Sequence, residues 1–261
     1  MTATRHSTID IPVDGQHIAG TLVAASTMVP GVLLVHGWDG SQQQYMARAH
    51  DLAALGCVCL TFDLRGHAQH ADQRMSVTRE DNLRDVLAAY DALVCHPSVD
   101  PDAIAIVGSS YGGYLAALVS SMRPVRWLAL RAPALYRDRE WLTPKGQLSR
   151  SDLVAYRRTL VGPDDNRALA ACAAFKGDVL IVESEDDQTV PHPVIENYLA
   201  AFKGGVRSVT YRVLAGADHA LSRQESRQAY GTLLVSWMTE MTLGAKSVGA
   251  PITRPVHAAP A

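Results

Sequence analysis

The sequence lacks a strong charge of either sign. Its 24 lysine and arginine residues and 26 aspartate and glutamate residues give a formal net charge of −2, whereas a nucleic-acid-binding domain usually carries a clear basic excess. The chain also lacks the low apolar content of disordered proteins, since 48% of its residues are hydrophobic and 19% are charged. We therefore expect a globular protein with no nucleic-acid partner.

The sequence also lacks long apolar runs and paired cysteines. No stretch of about 18 uncharged apolar residues is present, which predicts no membrane span and no membrane partner. No apolar segment follows Arg5, so no signal peptide is predicted. The four cysteines form no CxxC pair and are interpreted as small buried hydrophobic side chains: Cys57, Cys59, Cys95 and Cys172. A cytoplasmic, reducing location is the resulting expectation.

What the sequence does contain is an alternation of short apolar runs with longer segments of helical period, which is typical of an α/β fold. Runs at 7–13 and 17–24 flank Asp14-Gly15 and predict a β-hairpin. The other runs are rich in Val, Ile and Leu and predict strands covered on both faces: 31–36, 57–63, 103–108, 125–131, 178–184 and 208–214. Helices are predicted at 41–55, 78–94, from Ser110 onwards, at 192–203 and at 222–241.

Two segments depart from this alternation. Residues 137–177 separate two predicted strands by more than one helix requires, so we expect a small helical insertion that folds over the carboxyl edge of the sheet as a lid. Residues 243–261 are rich in Ala, Pro and Gly without periodicity and predict a flexible tail. The expected organisation is one α/β domain over 1–242, with the insertion inside it; a chain of this length allows one domain or two.

One motif carries a candidate nucleophile. The run from Gly108 to Gly112 reads G-S-S-Y-G and matches G-x-S-x-G. A predicted strand precedes it and a helix-forming segment follows, which is the setting of a nucleophile elbow, a sharp strained turn that exposes a serine. Ser110 is therefore the candidate nucleophile, and a tight glycine turn with an incidental serine is the alternative.

A serine nucleophile needs a base and a third group that orients the base. In this architecture the acid follows a later strand and the histidine follows a strand after that. Asp187 lies just after the run 178–184, and His219 lies in the loop after the run 208–214. We predict His219 as general base and Asp187 as its carboxylate partner, with Asp218 as a loop acceptor.

The oxyanion formed on attack needs preorganised donors. The backbone N–H of Tyr111, directly after the candidate nucleophile, is one candidate. The N–H of Trp38, in the segment His36-Gly37-Trp38-Asp39-Gly40, is the other; a simple strand-to-helix turn is the alternative interpretation of that segment.

Five segments in this order resemble the α/β-hydrolase superfamily over residues 7–241: VHGWDG, FDLRGH, GSSYGGY, DQTVP and GADH. GSSYGGY is similar to the elbow of the prolyl oligopeptidase and acetyl esterase branches, and the compact size resembles the dienelactone hydrolase-like group. The resemblance implies an α/β-hydrolase fold with a mostly parallel eight-stranded sheet and helices on both faces. It also implies a serine-hydrolase mechanism without a cofactor, and an acid at the first position of D-x-x-V-P, which is Asp187. Dienelactone hydrolases use a cysteine nucleophile, whereas position 110 is serine.

These observations predict a serine hydrolase that cleaves carboxylic esters of small acyl compounds through an acyl-enzyme. A peptidase or amidase of the prolyl oligopeptidase type and a non-catalytic ligand-binding protein are the alternatives. The expected partner is a small-molecule substrate, and the oligomeric state stays open. No metal site is predicted, because His67-x-x-His70-x-Asp72 lacks a third well-spaced ligand.

The substrate pocket is expected to contain aromatic side chains, for each of which core packing is the alternative: Trp38, Tyr111, Tyr136 and Trp141. From Arg123 to Arg158 the chain has eight arginines and one lysine against three acidic residues. This local basic excess leads to the hypothesis that the insertion favours substrates that bear a carboxylate.

Overall fold

The computed structural model describes residues 5–24 and 29–248, which form one eight-stranded sheet. The strands are β1 (Arg5–Val13), β2 (Gln16–Ala24), β3 (Val29–Val35), β4 (Val58–Phe62), β5 (Val99–Ser109), β6 (Trp127–Arg131), β7 (Asp178–Ser184) and β8 (Ser208–Leu214). Their order is β1-β2-β4-β3-β5-β6-β7-β8. The first two strands and the β2–β4 pair are antiparallel, and all other neighbours are parallel. The predicted mostly parallel eight-stranded sheet is confirmed.

Helices cover both faces of this sheet, because its central strands β3, β4, β6 and β7 are buried on both sides. The edge strand β8 is mostly exposed or half-buried, so the prediction that the run 208–214 is covered on both faces is wrong. The helices are α1 (Met46–Ala54), α2 (Arg79–Val94), α3 (Tyr111–Val119), α4 (Arg150–Tyr156), α5 (Arg167–Ala174), α6 (His192–Phe202) and α7 (Gln224–Val248). Side chains of α2, α3, α5 and α6 fill one core cluster, and those of α1 and α7 fill the other. None of the helices in the described residues is long and apolar enough to span a membrane.

The C-terminal boundary differs from the prediction. Helix α7 continues to Val248, so residues 243–248 are helical rather than part of a flexible tail. That segment, LGAKSV, contains no proline and includes good helix formers, whereas prolines occur only further on. Residues 249–261 lie outside the described part of the chain. Cys95 is exposed at the end of α2, contrary to the expected burial, while the other three cysteines are buried.

The insertion 137–177 is helical, as predicted, but it divides into two parts. Helix α5 buries Leu169 and Cys172 in the core and belongs to the helical layer of the sheet. The segment before α5 contains α4, which buries none of its residues, and short 3-10 turns at Asp138–Glu140 and Lys145–Gln147. The amide of Gln147 donates to the carbonyl of Met75 at 2.8 Å. The prediction that the insertion forms a lid therefore concerns this first part alone.

The turn between β5 and α3 brings three backbone segments into direct contact. A Cβ atom on Gly112 would lie 2.2 Å from the carbonyl oxygen of Val35 in β3, and one on Gly108 would lie 2.4 Å from the carbonyl oxygen of Gly112. Neither position accommodates a side chain. The two glycines of G-x-S-x-G are therefore required by space, and their absence of side chains allows Ser110 to approach the end of β3.

A buried polar network holds the loop after β4 against this turn. Arg65 donates from Nε to Asp85 Oδ1 at 2.6 Å, and Asn82 donates to the other carboxylate oxygen at 3.0 Å. The hydroxyl of Tyr111 donates to Asn82 Oδ1 at 3.0 Å. Burial raises the pKa of the Asp85 carboxyl, and the Arg65 guanidinium offsets part of that rise. The FDLRGH segment thus has a structural role beneath the elbow.

Two buried histidines fix the loop after β3. His36 accepts a hydrogen bond at Nε2 from the Leu64 N–H at 3.0 Å. The His67 ring lies 4.7 Å from the Trp38 ring and 4.9 Å from the His36 ring, measured between centroids. Burial, with a smaller contribution from His36, lowers the pKa of His67 from 6.5 to about 4. Both rings pack as neutral groups at neutral pH.

We predict that Gly112→Ala destabilises the protein by more than about 3 kcal/mol, because its Cβ would overlap backbone atoms that cannot move independently. The matched control is Gly231→Ala in α7, whose Cβ meets nothing within 4 Å. That change should raise the free energy of unfolding by about 0.5–1 kcal/mol, since alanine favours a helix over glycine. Urea unfolding of the two variants measures both effects, and equal stability would contradict the packing argument.

The His67 pKa predicts a pH-dependent stability. Between pH 6.5 and about 4 the unfolded chain binds a proton at this residue and the folded chain does not, so the free energy of unfolding falls as the pH falls through this window, by at most about 1.4 kcal/mol per pH unit. Below it both states are protonated and the contribution ends. His67→Gln should show a shallower decline over the same window in urea titrations. Parallel curves for wild type and variant would refute this assignment.

Candidate active site

Ser110 occupies the turn between β5 and α3 in a strained backbone conformation. Its φ of 53° and ψ of −116° lie in a region that side-chain-bearing residues rarely adopt. The turn is fixed on both sides, since the Ser110 N–H donates to the carbonyl of Arg131 at 2.9 Å and the Ser110 carbonyl accepts from the N–H of Ala134 at 2.9 Å. The serine therefore lies at the carboxyl edge of the sheet, as the motif predicts.

His219 lies between Ser110 and Asp187. Its Nε2 is 2.9 Å from Ser110 Oγ, and its Nδ1 is 2.6 Å from Asp187 Oδ2. The carboxylate side chain is 2% exposed and the imidazole 24%. The three predicted residues, which are far apart in sequence, thus form one hydrogen-bonded chain that opens to solvent at the histidine.

The turn after β7 explains why Asp187 rather than a neighbouring acid meets the histidine. Asp187 Oδ1 accepts from the N–H groups of Thr189 and Val190, both at 2.8 Å, which leaves Oδ2 for the imidazole. The other acids in this segment have different partners. Glu183 contacts His192 at 2.8 Å, and Glu185 accepts from the N–H of Gly216 at 2.7 Å.

The two predicted oxyanion donors, Trp38 in the loop after β3 and Tyr111 at the start of α3, both lie in segments next to Ser110. A Cβ on Gly37 would lie 3.3 Å from Ser110 Cβ, so this loop passes directly against the serine. Within the described residues, the N–H of Trp38 makes no hydrogen bond. Tyr111 is the first residue of α3, where an N–H has no acceptor inside the helix. Both N–H groups are therefore available near Ser110.

The structure corrects part of the predicted aromatic pocket. The side chains of Tyr111 and Tyr136 are buried, with 0% and 2% exposure, and stack edge to face with each other. Both belong to the core cluster that α2, α3, α5 and α6 help to fill, so neither lines an open pocket. Trp141 donates its indole N–H to Glu80 at 3.1 Å and packs against Arg167. Among the described residues, no hydrogen bond or ring contact joins Trp141 to Ser110. Trp38, which is half-buried in the loop that passes Ser110, is the remaining candidate of the four.

Lys145 is a cation of the insertion that lies beside Trp38. Although only 9% exposed, its Nζ lies 4.4 Å from the centroid of the Trp38 ring, 5.6 Å from that of Tyr111 and 5.3 Å from that of Tyr136. No carboxylate of the described residues forms an ion pair with it. The ammonium group is therefore held by aromatic rings beside the predicted oxyanion donors.

Sequence reasoning missed Arg131, the last residue of β6. Its Nη1 donates to the carbonyl of His219 at 3.0 Å and to Ser184 Oγ at 3.3 Å, and its Nε donates to Ser109 Oγ at 3.4 Å. This side chain links the ends of β5 and β7 to the histidine loop. In the sequence, Arg131 stands out only as a charged residue at the end of an apolar strand. That position does not indicate which groups its side chain contacts.

The described residues contain no group of three or more His, Cys, Asp or Glu side chains that could hold a metal ion. His67 packs against Trp38, whereas His70 lies 2.9 Å from the carbonyl of His17 at an exposed position. The two histidines of His67-x-x-His70 thus have different surroundings.

Comparison with known structures finds the same fold. A dienelactone hydrolase from Anabaena variabilis superposes with a TM-score of 0.65 and 18% identity, covering 91% of this chain and 98% of the other. An esterase from Pyrococcus furiosus gives 0.69 and 17%, covering 91% of both chains. An acylaminoacyl peptidase from Pyrococcus horikoshii gives 0.65 and 15%, covering 91% of this chain but 41% of the peptidase. At these identities the likeness concerns the fold. No curated protein sequence matches significantly.

The sequence profile of the prolyl oligopeptidase family matches residues 43–244. The match spans most of the chain, from the segment before α1 into α7, and it includes the elbow and the turns that carry Asp187 and His219. The chain is therefore a hydrolase with the α/β-hydrolase fold and belongs to the prolyl oligopeptidase family.

Proposed function

We propose that this protein is a serine hydrolase that cleaves carboxylic esters of small acyl compounds. The supporting observation is the hydrogen-bonded chain from Asp187 through His219 to Ser110, with distances of 2.6 Å and 2.9 Å. This is the arrangement that activates a serine hydroxyl, because the base lies within proton-transfer distance and a buried carboxylate orients it.

In the proposed reaction, Ser110 Oγ attacks the ester carbonyl while His219 Nε2 removes the hydroxyl proton. Asp187 stabilises the resulting imidazolium and holds its orientation. The N–H groups of Trp38 and Tyr111 stabilise the negative charge on the former carbonyl oxygen. His219 then donates the proton to the leaving alcohol, and an acyl-enzyme forms. Water repeats the sequence at the acyl carbon and restores Ser110.

The second candidate function is cleavage of an amide bond, and the family match supports it. The same residues would serve a peptide substrate, since the triad does not distinguish an amine leaving group from an alcohol. The fold is likewise shared with an acylaminoacyl peptidase as well as with an esterase. The compact single-sheet structure with a short insertion favours small substrates, so we rank the ester reaction first.

Lys145 supports a narrower substrate class, namely esters that carry a carboxylate. Two other cations of the insertion have partners elsewhere: Arg157 donates to the carbonyls of Leu135 and Thr189, and Arg137 lies over the Tyr156 ring. The Lys145 ammonium group lies near Trp38 and lacks an anionic partner among the described side chains. A substrate carboxylate would supply that partner in a partly desolvated position, where a charged hydrogen bond is strongest.

The first prediction of this proposal concerns Ser110. A fluorophosphonate probe should label the wild type at Ser110, and Ser110→Ala should lower the hydrolysis of a short p-nitrophenyl ester by at least about 10⁴-fold, because the nucleophile is lost. Mass spectrometry of the labelled peptide and a steady-state assay measure these effects. A folded wild-type protein that neither reacts with the probe nor turns over esters or aminoacyl anilides would support the non-catalytic alternative. Faster turnover of the anilides than of the esters would favour the peptidase.

The second prediction concerns Lys145. Lys145→Gln should lower kcat/KM for an anionic ester by about tenfold or more, since a hydrogen bond to a charged group contributes roughly 1.5–3 kcal/mol. A neutral ester of equal acyl length should change less than about twofold. The matched control is Arg139→Gln, which removes one exposed positive charge from the same insertion. The kcat/KM values are measured at low salt, where charge interactions are least screened. Equal losses of kcat/KM for the anionic and the neutral ester would contradict the proposed carboxylate preference.

A further inference from the structure

A cavity of about 290 Å³ lies on the α1 and α7 side of the loop that carries His219. Ala220 and Leu221, the two residues after the histidine, form part of its wall, as does Ser109, the residue before the proposed nucleophile. Ser110 itself does not line it. The cavity is therefore separate from the proposed active site, although both touch the same loop and the same strand end.

Three arginines line this cavity: Arg48 from α1, Arg131 from the end of β6 and Arg227 from α7. No lining residue is acidic. Within residues 5–24 and 29–248, none of the three guanidinium groups forms an ion pair with a carboxylate, whereas other arginines form eight such ion pairs. The cavity therefore concentrates positive charge without a counter-charge from the protein.

Arg131 is the most buried of the three, at 7% exposure. Its hydrogen bonds go to neutral oxygens only, those of two serine hydroxyls and the His219 carbonyl. An arginine stays protonated at any ordinary pH, and a buried cation without an anion is unfavourable. The neutral acceptors satisfy some of its donors but do not neutralise its charge.

Arg48 and Arg227 complete the cluster. The Arg48 guanidinium carbon lies 5.4 Å from the centroid of the Tyr45 ring and 4.9 Å from that of Tyr230. Its Nε is sealed from solvent and has no hydrogen-bond partner among the described residues. Arg227 donates from Nη1 to the carbonyls of Leu221 and Ser222. The aromatic and carbonyl contacts orient both guanidinium groups at the cavity wall.

We propose that this cavity is a second binding site, which takes a small ligand through an oxyanion group, either phosphate or carboxylate. Planar guanidinium forks match the geometry of these anions, and a cluster of three is suited to a group with several acceptor oxygens. The volume is close to the lower end for small-molecule sites. A groove of about 750 Å³ between α1 and α7 shares Gln44, Arg48 and Arg227 with the cavity, and Arg227 is exposed to solvent.

Inorganic phosphate and acetate test the proposal as probes. At about ten times its dissociation constant, the bound anion should raise the Tm of the wild type by about 3–5 °C relative to sodium chloride of equal ionic strength. The double variant Arg48→Gln/Arg227→Gln should bind the same anion at least about tenfold more weakly in isothermal titration. Arg131 is left unchanged, because it also supports the His219 loop. A larger response to phosphate identifies a phosphoryl ligand, and a larger response to acetate identifies a carboxylate.

Two controls separate this site from other causes. Arg212→Gln removes an equal charge at an exposed position of β8 outside the cavity and should respond to the anions as the wild type does. Ser110→Ala should also keep the full response, whether or not the protein hydrolyses esters, because Ser110 does not line the cavity. The proposal is overturned if the double variant and Arg212→Gln respond alike, if the anions act no more strongly than chloride, or if Ser110→Ala loses the response.

Discussion

The close backbone contact between β3, β5 and α3 is the constraint on which the site depends. It requires glycine at 108 and 112, since added Cβ atoms would lie 2.4 Å and 2.2 Å from backbone oxygens. Ser110, which lies within this contact, has a φ of 53°. As a result, the serine side chain lies next to the loop that contains Trp38, outside the sheet interior. The histidine and aspartate turns need only reach a point that this contact has already fixed.

Much of this arrangement could be predicted from the sequence, because it follows from local rules. Buried strands have continuous apolar runs, and a parallel sheet brings the residues after its strands to one edge. Those two facts are sufficient to place the elbow and the turns of Asp187 and His219 near one another. The hairpin is equally local, since Asp14 and Gly15 both have the positive φ of its turn. The choice of Asp187 among four nearby acids came from the D-x-x-V-P pattern, whose physical basis is the pair of N–H groups bound by Oδ1.

The remainder depends on long-range packing that no local pattern encodes. The sequence positions of Tyr111 and Tyr136 predict pocket residues, yet both rings are buried in the core. Lys145 is one basic residue among nine in its segment, and only the path of the insertion brings it to Trp38. The end of α7 lies beyond its predicted boundary, because the helix continues to Val248 through a segment that has helix formers but no apolar periodicity.

Arg131 shows how a residue without a chemical part in the reaction sets the geometry of those that have one. One rigid, planar group spans the ends of two strands and the loop of the histidine, with bonds of 3.0–3.4 Å. Because Arg131 contacts all three segments, a displacement of one of them affects its hydrogen bonds to the other two. The precision of the site therefore depends on the assembled edge as a whole.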